Sequence, residues 1–174
     1  LVQRLALRTV GRERHRAHEE LLRAVAEGAG EVRDRLLALA SEDGRTARAL
    51  RAARAVPARD RAEASARDTA GTDAVRGSTR VLLEVMERSL EGIGLAKNAM
   101  ECGDPEAAVD GATGAEALRA ALRSAAAGVR ANLASLRDAA YAREMRTRID
   151  EMLFMGTKVA AAVDSLANDL WKTP

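Results

Sequence analysis

The stretch RLLALASEDGRTARALRAARAVP, residues 35–57, decides the fold class. Its leucines and alanines return every three or four residues and continue an apolar pattern that starts upstream, which places them on one face of a helix. The members of this stripe are Val25, Ala29, Val32, Leu36, Leu39, Ala47 and Leu50. The residue before a proline disfavours helical backbone angles, so the helix should end at Val56-Pro57. The pattern predicts one long helix from about Ala17 to Ala55.

The rest of the chain shows the same helical periodicity, interrupted by glycine and proline. Gly11 and the charged run after it indicate a break behind a first helical tail. The turn Gly103-Asp104-Pro105 indicates another helix end. Besides the long helix, the predicted segments are residues 1–10, 59–76 with Gly71 and Gly77 as breakers, 81–100, from 106 or 110 to 137, and 141–170. We expect an all-α bundle of about five or six mostly long antiparallel helices.

Composition favours a single helical domain over residues 1–174. Hydrophobic residues make up 47% of the chain and aromatic residues 2%, so helix formers dominate over strand formers. Each alanine buries little area, so we expect burial to be shared with a second subunit. No apolar stretch approaches the roughly 20 residues that span a bilayer, and no signal peptide opens the sequence. Because the helical pattern is already under way at Leu1, we expect further residues to precede it in the full gene product.

Charge and cysteine content limit the kinds of partner and the cellular compartment that we expect for this chain. The 28 basic and 26 acidic residues are interspersed, which is typical of solvated helix surfaces rather than of nucleic-acid binding. Cys102 is the sole cysteine, so the chain has no internal disulfide and fits a reducing cytosol. His15 and His18 could share a helix face, but a third ligand at a recognised spacing is missing. We therefore predict a cytoplasmic protein with no metal, no nucleic acid and no membrane partner.

Three polar residues stand where the helical stripes call for apolar ones. Asp43 follows Leu36 and Leu39 on the stripe of the long helix. Asp110 and Asn132 lie on the stripe of the helix after Pro105, with Gly114, Leu118, Leu122, Ala125, Val129 and Leu136. A buried carboxylate costs several kcal/mol unless it is paired or hydrogen-bonded. The three residues are therefore either core groups paired with arginines or the walls of a pocket for a cationic or protonatable ligand.

The order and spacing of four segments resemble the cyclodeaminase/cyclohydrolase family. The segments are LRTVGRERH at residues 7–15, RLLALASEDGRTARALRAARAVP at 35–57, GDPEAAVDG at 103–111 and VRANLASLRD at 129–138. Its members are all-helical, dimeric folate enzymes related to the C-terminal part of formiminotransferase-cyclodeaminase and to a stand-alone methenyltetrahydrofolate cyclohydrolase. The resemblance implies a homodimer in which the start of the first helix lies before Leu1.

The resemblance also assigns roles to residues. It implies that Asp43 and Asp110 are catalytic, and it assigns substrate binding to Asn132, Thr9, Arg12, His15 and Gly128. Several positions depart from the family pattern. Leu7 stands where the family usually has asparagine, Ala47 where it has phenylalanine, and His15 where it has tyrosine or phenylalanine; Gly128 replaces another asparagine. These changes indicate a pocket altered in size and polarity.

The implied chemistry is one-carbon transfer on tetrahydrofolate, which serves as substrate or one-carbon carrier. In a cyclohydrolase, water attacks the methenyl cation; in a cyclodeaminase, a formimino group closes the ring and expels ammonia. Carboxylates stabilise such cations and move protons, and an amide orients the ligand. Two alternatives stay open at this point. In the first, the chain is a remodelled family member that uses a methylene or methenyl folate, or another substrate, for a different one-carbon transfer or cyclisation. In the second, the chain is a non-catalytic helical assembly protein.

Overall fold

The computed structural model describes residues 1–172, and the described chain is built from helices without strands. Five α-helices occur in this part of the chain, joined by two short 3₁₀ helices at Glu13–His18 and Pro105–Ala107. The α-helices are α1 Val2–Thr9, α2 Glu19–Ala55, α3 Arg61–Cys102, α4 Ala108–Ala134 and α5 Ala139–Lys172. The predicted all-α class is confirmed. Within residues 1–172, none of the helices combines the length and the apolar character that membrane crossing requires.

The helix ends follow local chemistry. Helix α2 stops at Ala55, two residues before Pro57, as the sequence predicts. Helix α3 begins after Asp60, whose carboxylate accepts the Glu63 backbone N–H at 2.8 Å, while the Glu63 carboxylate accepts the N–H of Arg59. This reciprocal arrangement resembles a capping box and satisfies two donors that the helix start leaves free.

The prediction of a separate helix over residues 59–76 is wrong. Helix α3 passes without interruption through both predicted breakers, Gly71 and Gly77. A glycine inside a helix costs only about 1 kcal/mol relative to alanine, and the neighbouring alanines and arginines are good helix formers. The penalty of two isolated glycines is therefore too small to end a helix that is packed along most of its length.

Close helix packing around α3 makes the core. Helix α2 runs antiparallel to α3, with Val32 beside Gly92. Helix α4 runs antiparallel on another side, where Gly92 meets Leu118 and Gly128 meets Leu82. A β-carbon on Gly128 would lie 2.9 Å from the end of the Leu82 side chain, so a larger residue there would displace that leucine. Helix α5 closes the core against α3 and α4; the largest fully buried side chains include Leu5, Leu22, Leu39, Met86, Ile93, Leu122, Leu133 and Ile149.

Helix α1 lies in the groove between α2 and α4. Glycines on both flanking helices make room for it: a β-carbon on Gly30 of α2 would approach Gln3 to 2.9 Å, and one on Gly114 of α4 would approach Val2 to 2.8 Å. Helix α1 packs against the part of the groove near the start of α4.

Candidate functional site

The structure separates the predicted site residues into two groups. Asp110 stands at the start of α4 and Asn132 near its end, 22 residues apart. At 1.5 Å of rise per residue this spacing is about 33 Å. One chain therefore cannot place both side chains against the same carbon atom. We name the first region the clamp (Arg4, Thr9, Arg12, Asp104 and Asp110) and the second the open end (Asp43, Ser78, Gly128 and Asn132).

In the clamp, Asp110 is buried and held by an arginine of α1. Arg4 Nε donates to Asp110 Oδ2 at 2.6 Å, and Arg4 Nη2 donates to Oδ1. This hydrogen-bonded ion pair lowers the pKa of the Asp110 carboxyl from its ordinary value, against the opposing effect of burial. The carboxylate thus stays ionised near neutral pH, with its charge balanced by the guanidinium that joins α1 to α4.

Asp104 forms the second half of the clamp, and the sequence analysis did not identify it as a site residue. Its side chain is inaccessible to solvent and binds two arginines, Arg12 and Arg14, the latter at 2.6 Å. It also accepts the backbone N–H of Glu106 at 3.1 Å. Burial raises the pKa of Asp104, but the Glu106 N–H and the two arginine charges together outweigh burial and leave it lowered. Its place before Pro105 marks a helix cap, which was the only sequence signal available.

Thr9 and Arg12, predicted to bind substrate, take part in this clamp. Thr9 is fully buried, and its hydroxyl donates to the Leu5 carbonyl at 3.0 Å while it accepts the Asp104 backbone N–H at 2.9 Å. Arg12 is bound to the Asp104 carboxylate. Both side chains fix the turn after α1 against the α3–α4 connection. Their hydrogen bonds point to a structural role, so substrate contact by either residue stays a prediction.

His15 lies beside the clamp, where its backbone N–H donates to the Arg12 carbonyl at 2.9 Å. It is half-buried on the first 3₁₀ helix, and its Nε2 atom is enclosed without a hydrogen-bond partner among the described residues. Within residues 1–172, no three His, Cys, Asp or Glu side chains are placed to share a metal ion.

At the open end, the Asn132 side chain is anchored to a buried serine. Asn132 Nδ2 donates to Ser78 Oγ at 3.1 Å, and Ser78 on α3 is 8% exposed. The bond fixes the amide plane and leaves the carbonyl oxygen of the amide available as an acceptor. Gly128 lies one turn before Asn132 and faces Leu82 of α3, so its missing side chain serves helix packing.

Asp43 lies on α2, beside the same segment of α3. Since Val32 lies beside Gly92 in an antiparallel pair, eleven residues further along α2 bring Asp43 level with Val81, one turn from Ser78. No described side chain donates to the Asp43 carboxylate. Its neighbour Glu42 is bound by Arg35 at 2.8 Å. Asp43 is thus a half-buried carboxylate without a charged partner, in contrast to the two clamp carboxylates.

The expectation that all three polar residues point into the interior needs correction. Asp110 is buried, whereas Asp43 and Asn132 are only half-buried. Helix α1 packs against the start of α4 beside Asp110 and binds its carboxylate through Arg4. Helical periodicity reports the face of a residue but not how far a covering helix extends along that face.

An apolar cavity of about 710 Å³ lies in the groove between the two regions. Its polar lining residues are Gln3, Arg4, Arg8 and Arg33, and the rest of its wall is Leu1, Val2, Leu7, Ala29, Val32, Leu36, Leu37, Gly92, Gly114 and Leu118. This volume falls within the range of about 300 to 1,000 Å³ that is usual for small-molecule sites. Along α2 the cavity wall reaches Leu37, which is six residues before Asp43.

Comparisons with known proteins agree with this architecture. The family model described as formiminotransferase-cyclodeaminase matches residues 1–151. The crystal structure of a formiminotetrahydrofolate cyclodeaminase from Thermotoga maritima superposes with a TM-score of 0.86 at 16% sequence identity, over 98% of this chain and 81% of that one. At this identity the superposition shows a shared fold. A search among curated proteins found no match.

Proposed function

This chain belongs to the formiminotransferase-cyclodeaminase family, and from that membership we propose that it is a folate-dependent one-carbon enzyme. Its substrate is a tetrahydrofolate adduct, and its reaction is either methenyltetrahydrofolate hydrolysis or formiminotetrahydrofolate cyclisation with release of ammonia. The family match over residues 1–151 and the fold shared with a cyclodeaminase support the proposal.

The unpaired Asp43 carboxylate is the observation that carries this proposal. Both reactions pass through a carbon that shares positive charge with two nitrogens. A carboxylate that already neutralises an arginine offers such a cation little additional attraction, whereas an unpaired one stabilises it directly. Of the two aspartates predicted to be catalytic, Asp43 is unpaired and Asp110 is bound to Arg4. We assign cation stabilisation to Asp43.

The Ser78–Asn132 pair provides a fixed hydrogen-bonding group at the same level of the bundle. With its NH₂ group held by Ser78, Asn132 presents its amide oxygen in a defined direction. Such an acceptor can orient an N–H of the substrate or the attacking water without a change of charge. In the hydrolytic reaction, water adds to the bridging carbon, one carbon–nitrogen bond breaks and a proton is released. In this proposal, Asp43 accepts that proton.

The clamp, in this proposal, positions α1 rather than reacting. Arg4 and Asp110 fix the start of α1 against α4, and Asp104 fixes its end through Thr9 and Arg12. Helix α1 in turn supplies the cavity wall, including Leu7, which is 57% exposed. A cytoplasmic homodimer is part of the proposal, because an Ala-rich core favours shared burial.

A remodelled reaction is the second candidate, and Leu7 favours it. This residue lines the cavity where the resembled family usually carries an asparagine. An apolar side chain at this place would bind a different part of a folate than asparagine does. It would also disfavour a polar group of the ligand, since burying a polar group without a hydrogen-bond partner costs free energy. Tight binding of methenyltetrahydrofolate without its hydrolysis would favour this candidate.

The test follows the absorbance of methenyltetrahydrofolate with purified protein, and separately the release of ammonia from formiminotetrahydrofolate. We expect one of the two substrates to disappear faster than in buffer, in proportion to enzyme concentration. Rates equal to buffer for both substrates, together with no folate binding in calorimetry, would overturn the proposal and leave a helical assembly protein.

A further inference from the structure

A second cavity, of about 980 Å³, lies where the α2–α3 connection meets the α4–α5 turn. Its walls are the last turns of α2, the first turns of α3 and residues 135–138. No step of the proposed reaction uses it. Unlike the apolar cavity beside α1, it is lined by five arginines and three aspartates, and we name it the basic cleft. The arginines are Arg54, Arg61, Arg67, Arg76 and Arg137.

The positive charges of the basic cleft lie deeper than most of the negative ones. Arg67 and Arg76 are half-buried, whereas Asp68 and Asp73 are exposed. The third aspartate, Asp138, is half-buried, but Arg76 Nη2 donates to its Oδ2 at 2.7 Å and balances its charge. Arg67 has no ion-pair partner within residues 1–172. Because salt screens exposed charges more than half-buried ones, the interior of the cleft is positive.

Arg76 is held in place from two sides. Asp138 binds one of its terminal nitrogens, and the ring of Tyr141 is centred 5.2 Å from its guanidinium carbon. Asp138 and Tyr141 are themselves linked at the start of α5, because Asp138 Oδ1 accepts the Tyr141 backbone N–H at 3.0 Å. This hydrogen bond and the Arg76 charge lower the pKa of Asp138, so the carboxylate stays ionised near neutral pH. A guanidinium fixed in this way loses little conformational freedom when a ligand binds.

Arg76 nevertheless keeps most of its N–H groups free. Arg4 and Arg35 each bind a carboxylate through both Nε and Nη2. Arg76 binds Asp138 through Nη2 alone; its Nε is enclosed without a hydrogen-bond partner, and its Nη1 makes no hydrogen bond within residues 1–172. The side chain is 43% exposed and lines the cleft, so Nη1 is a donor that a ligand can reach. Guanidinium donors pair best with the oxygens of carboxylates and phosphates.

We propose that the basic cleft binds a small anion through a carboxylate or phosphate group, with Arg76 as the main hydrogen-bond donor and Arg67 as a second contact. The exposed arginines of the lining attract the anion. The volume suits a small molecule. A long polyanion such as a nucleic acid fits less well, because the exposed Asp68 and Asp73 would repel it. The proposal does not depend on the folate reaction.

Calorimetry at low salt with glutarate and with pyrophosphate tests this site. Neither probe contains a pterin, so the outcome is independent of the folate assay. We expect at least one probe to bind the wild type at one site per chain with a Kd below about 1 mM. Tighter binding of pyrophosphate would assign a phosphate ligand, and tighter binding of glutarate a dicarboxylate. Arg76→Gln should weaken binding by about tenfold or more, because a charge-assisted hydrogen bond is lost.

The matched control is Arg130→Gln, which removes the same charge from an arginine that also pairs with an aspartate on another helix. It should bind the probe as tightly as the wild type. Arg67→Gln breaks no ion pair of the described chain and should weaken binding by about threefold or more, which keeps the test valid if Arg76→Gln unfolds. Circular dichroism checks that each variant keeps its helices.

Three results would each overturn the proposal. The first is that neither probe binds the wild type at concentrations up to about 10 mM. The second is that Arg130→Gln weakens binding as much as Arg76→Gln, which would show attraction by net charge alone. The third is unchanged binding in either folded cleft variant.

Discussion

The clamp and the open end start from the same sequence feature and differ in how their polar groups are satisfied. Asp110 and Asp43 each interrupt an apolar stripe. In the structure, Asp110 is buried and bound by Arg4, whereas Asp43 is half-buried and has no charged partner within residues 1–172. The comparison shows that a polar residue on an apolar stripe is either held in a structural ion pair or left unpaired, and we propose that the unpaired one is the reactive group. Which of the two applies depends on whether a partner is present, and for Asp110 that partner, Arg4, lies 106 residues away in the sequence.

The largest effect on stability should come from Asp104→Ala in the clamp. The change removes a solvent-inaccessible carboxylate, strands Arg12 and Arg14, and deprives the Glu106 N–H of its acceptor. Removing one partner of a buried ion pair lowers the free energy of unfolding by about 3 kcal/mol or more. Urea unfolding should show this loss, while the exposed Asp34→Ala should stay within about 0.5 kcal/mol of the wild type. Equal stabilities for the two variants would contradict the structural role of the clamp.

At the open end, Asn132→Leu should affect activity more than stability. It removes the orienting amide and its bond to Ser78. We expect kcat/KM to fall about 100-fold, as when one positioned hydrogen-bonding group is lost from an active site. The free energy of unfolding should change by about 1 kcal/mol or less, because the residue is half-buried. A full rate in this variant would remove Asn132 from the site.

Thr9→Val separates hydrogen bonding from packing in the clamp. Valine matches the size of threonine but leaves the buried Asp104 N–H without its acceptor. The free energy of unfolding should fall by about 1.5 kcal/mol. A control at another buried threonine is Thr79→Val, where the hydroxyl only returns to the Val75 carbonyl of its own helix. That change should cost less, and an equal cost at both positions would show that the link to Asp104 contributes nothing.

Asp110→Asn should have the smallest effect, about 1 kcal/mol or less at pH 7, because Arg4 is largely exposed. The pKa of Asp110 is lowered in the folded state, so its stabilisation is present above the unfolded value near 3.9. It is lost as pH falls through the folded pKa. Unfolding curves of wild type and variant should therefore converge below about pH 4. A difference that grows with acidity would contradict this ion pair.

The sequence predicts the elements better than their contacts. Val56-Pro57 and Gly103-Asp104-Pro105 mark helix ends correctly, because proline and capping groups act locally. Gly71 and Gly77 mislead, since the helix penalty of an isolated glycine is too small to end a helix of good helix formers.

The site could be predicted only in part. Periodicity finds Asp43, Asp110 and Asn132, but their partners and degree of burial depend on segments distant in sequence. Ser78 lies 54 residues from Asn132, and no local pattern distinguishes it from other serines on a helix. The resemblance to a folate enzyme family suggests the chemistry, while the contrast between paired and unpaired carboxylates comes only from the fold.

The most direct test compares Asp43→Asn with Asp110→Asn in the same folate assay, with both variants checked for unchanged helicity. Each substitution removes one negative charge and keeps the shape of the side chain. We predict that Asp43→Asn lowers kcat/KM by about 100-fold to 10,000-fold while Asp110→Asn stays within about tenfold of the wild type. A full rate for Asp43→Asn, or a collapse of the rate confined to Asp110→Asn, would contradict the assignment of the reaction to the open end.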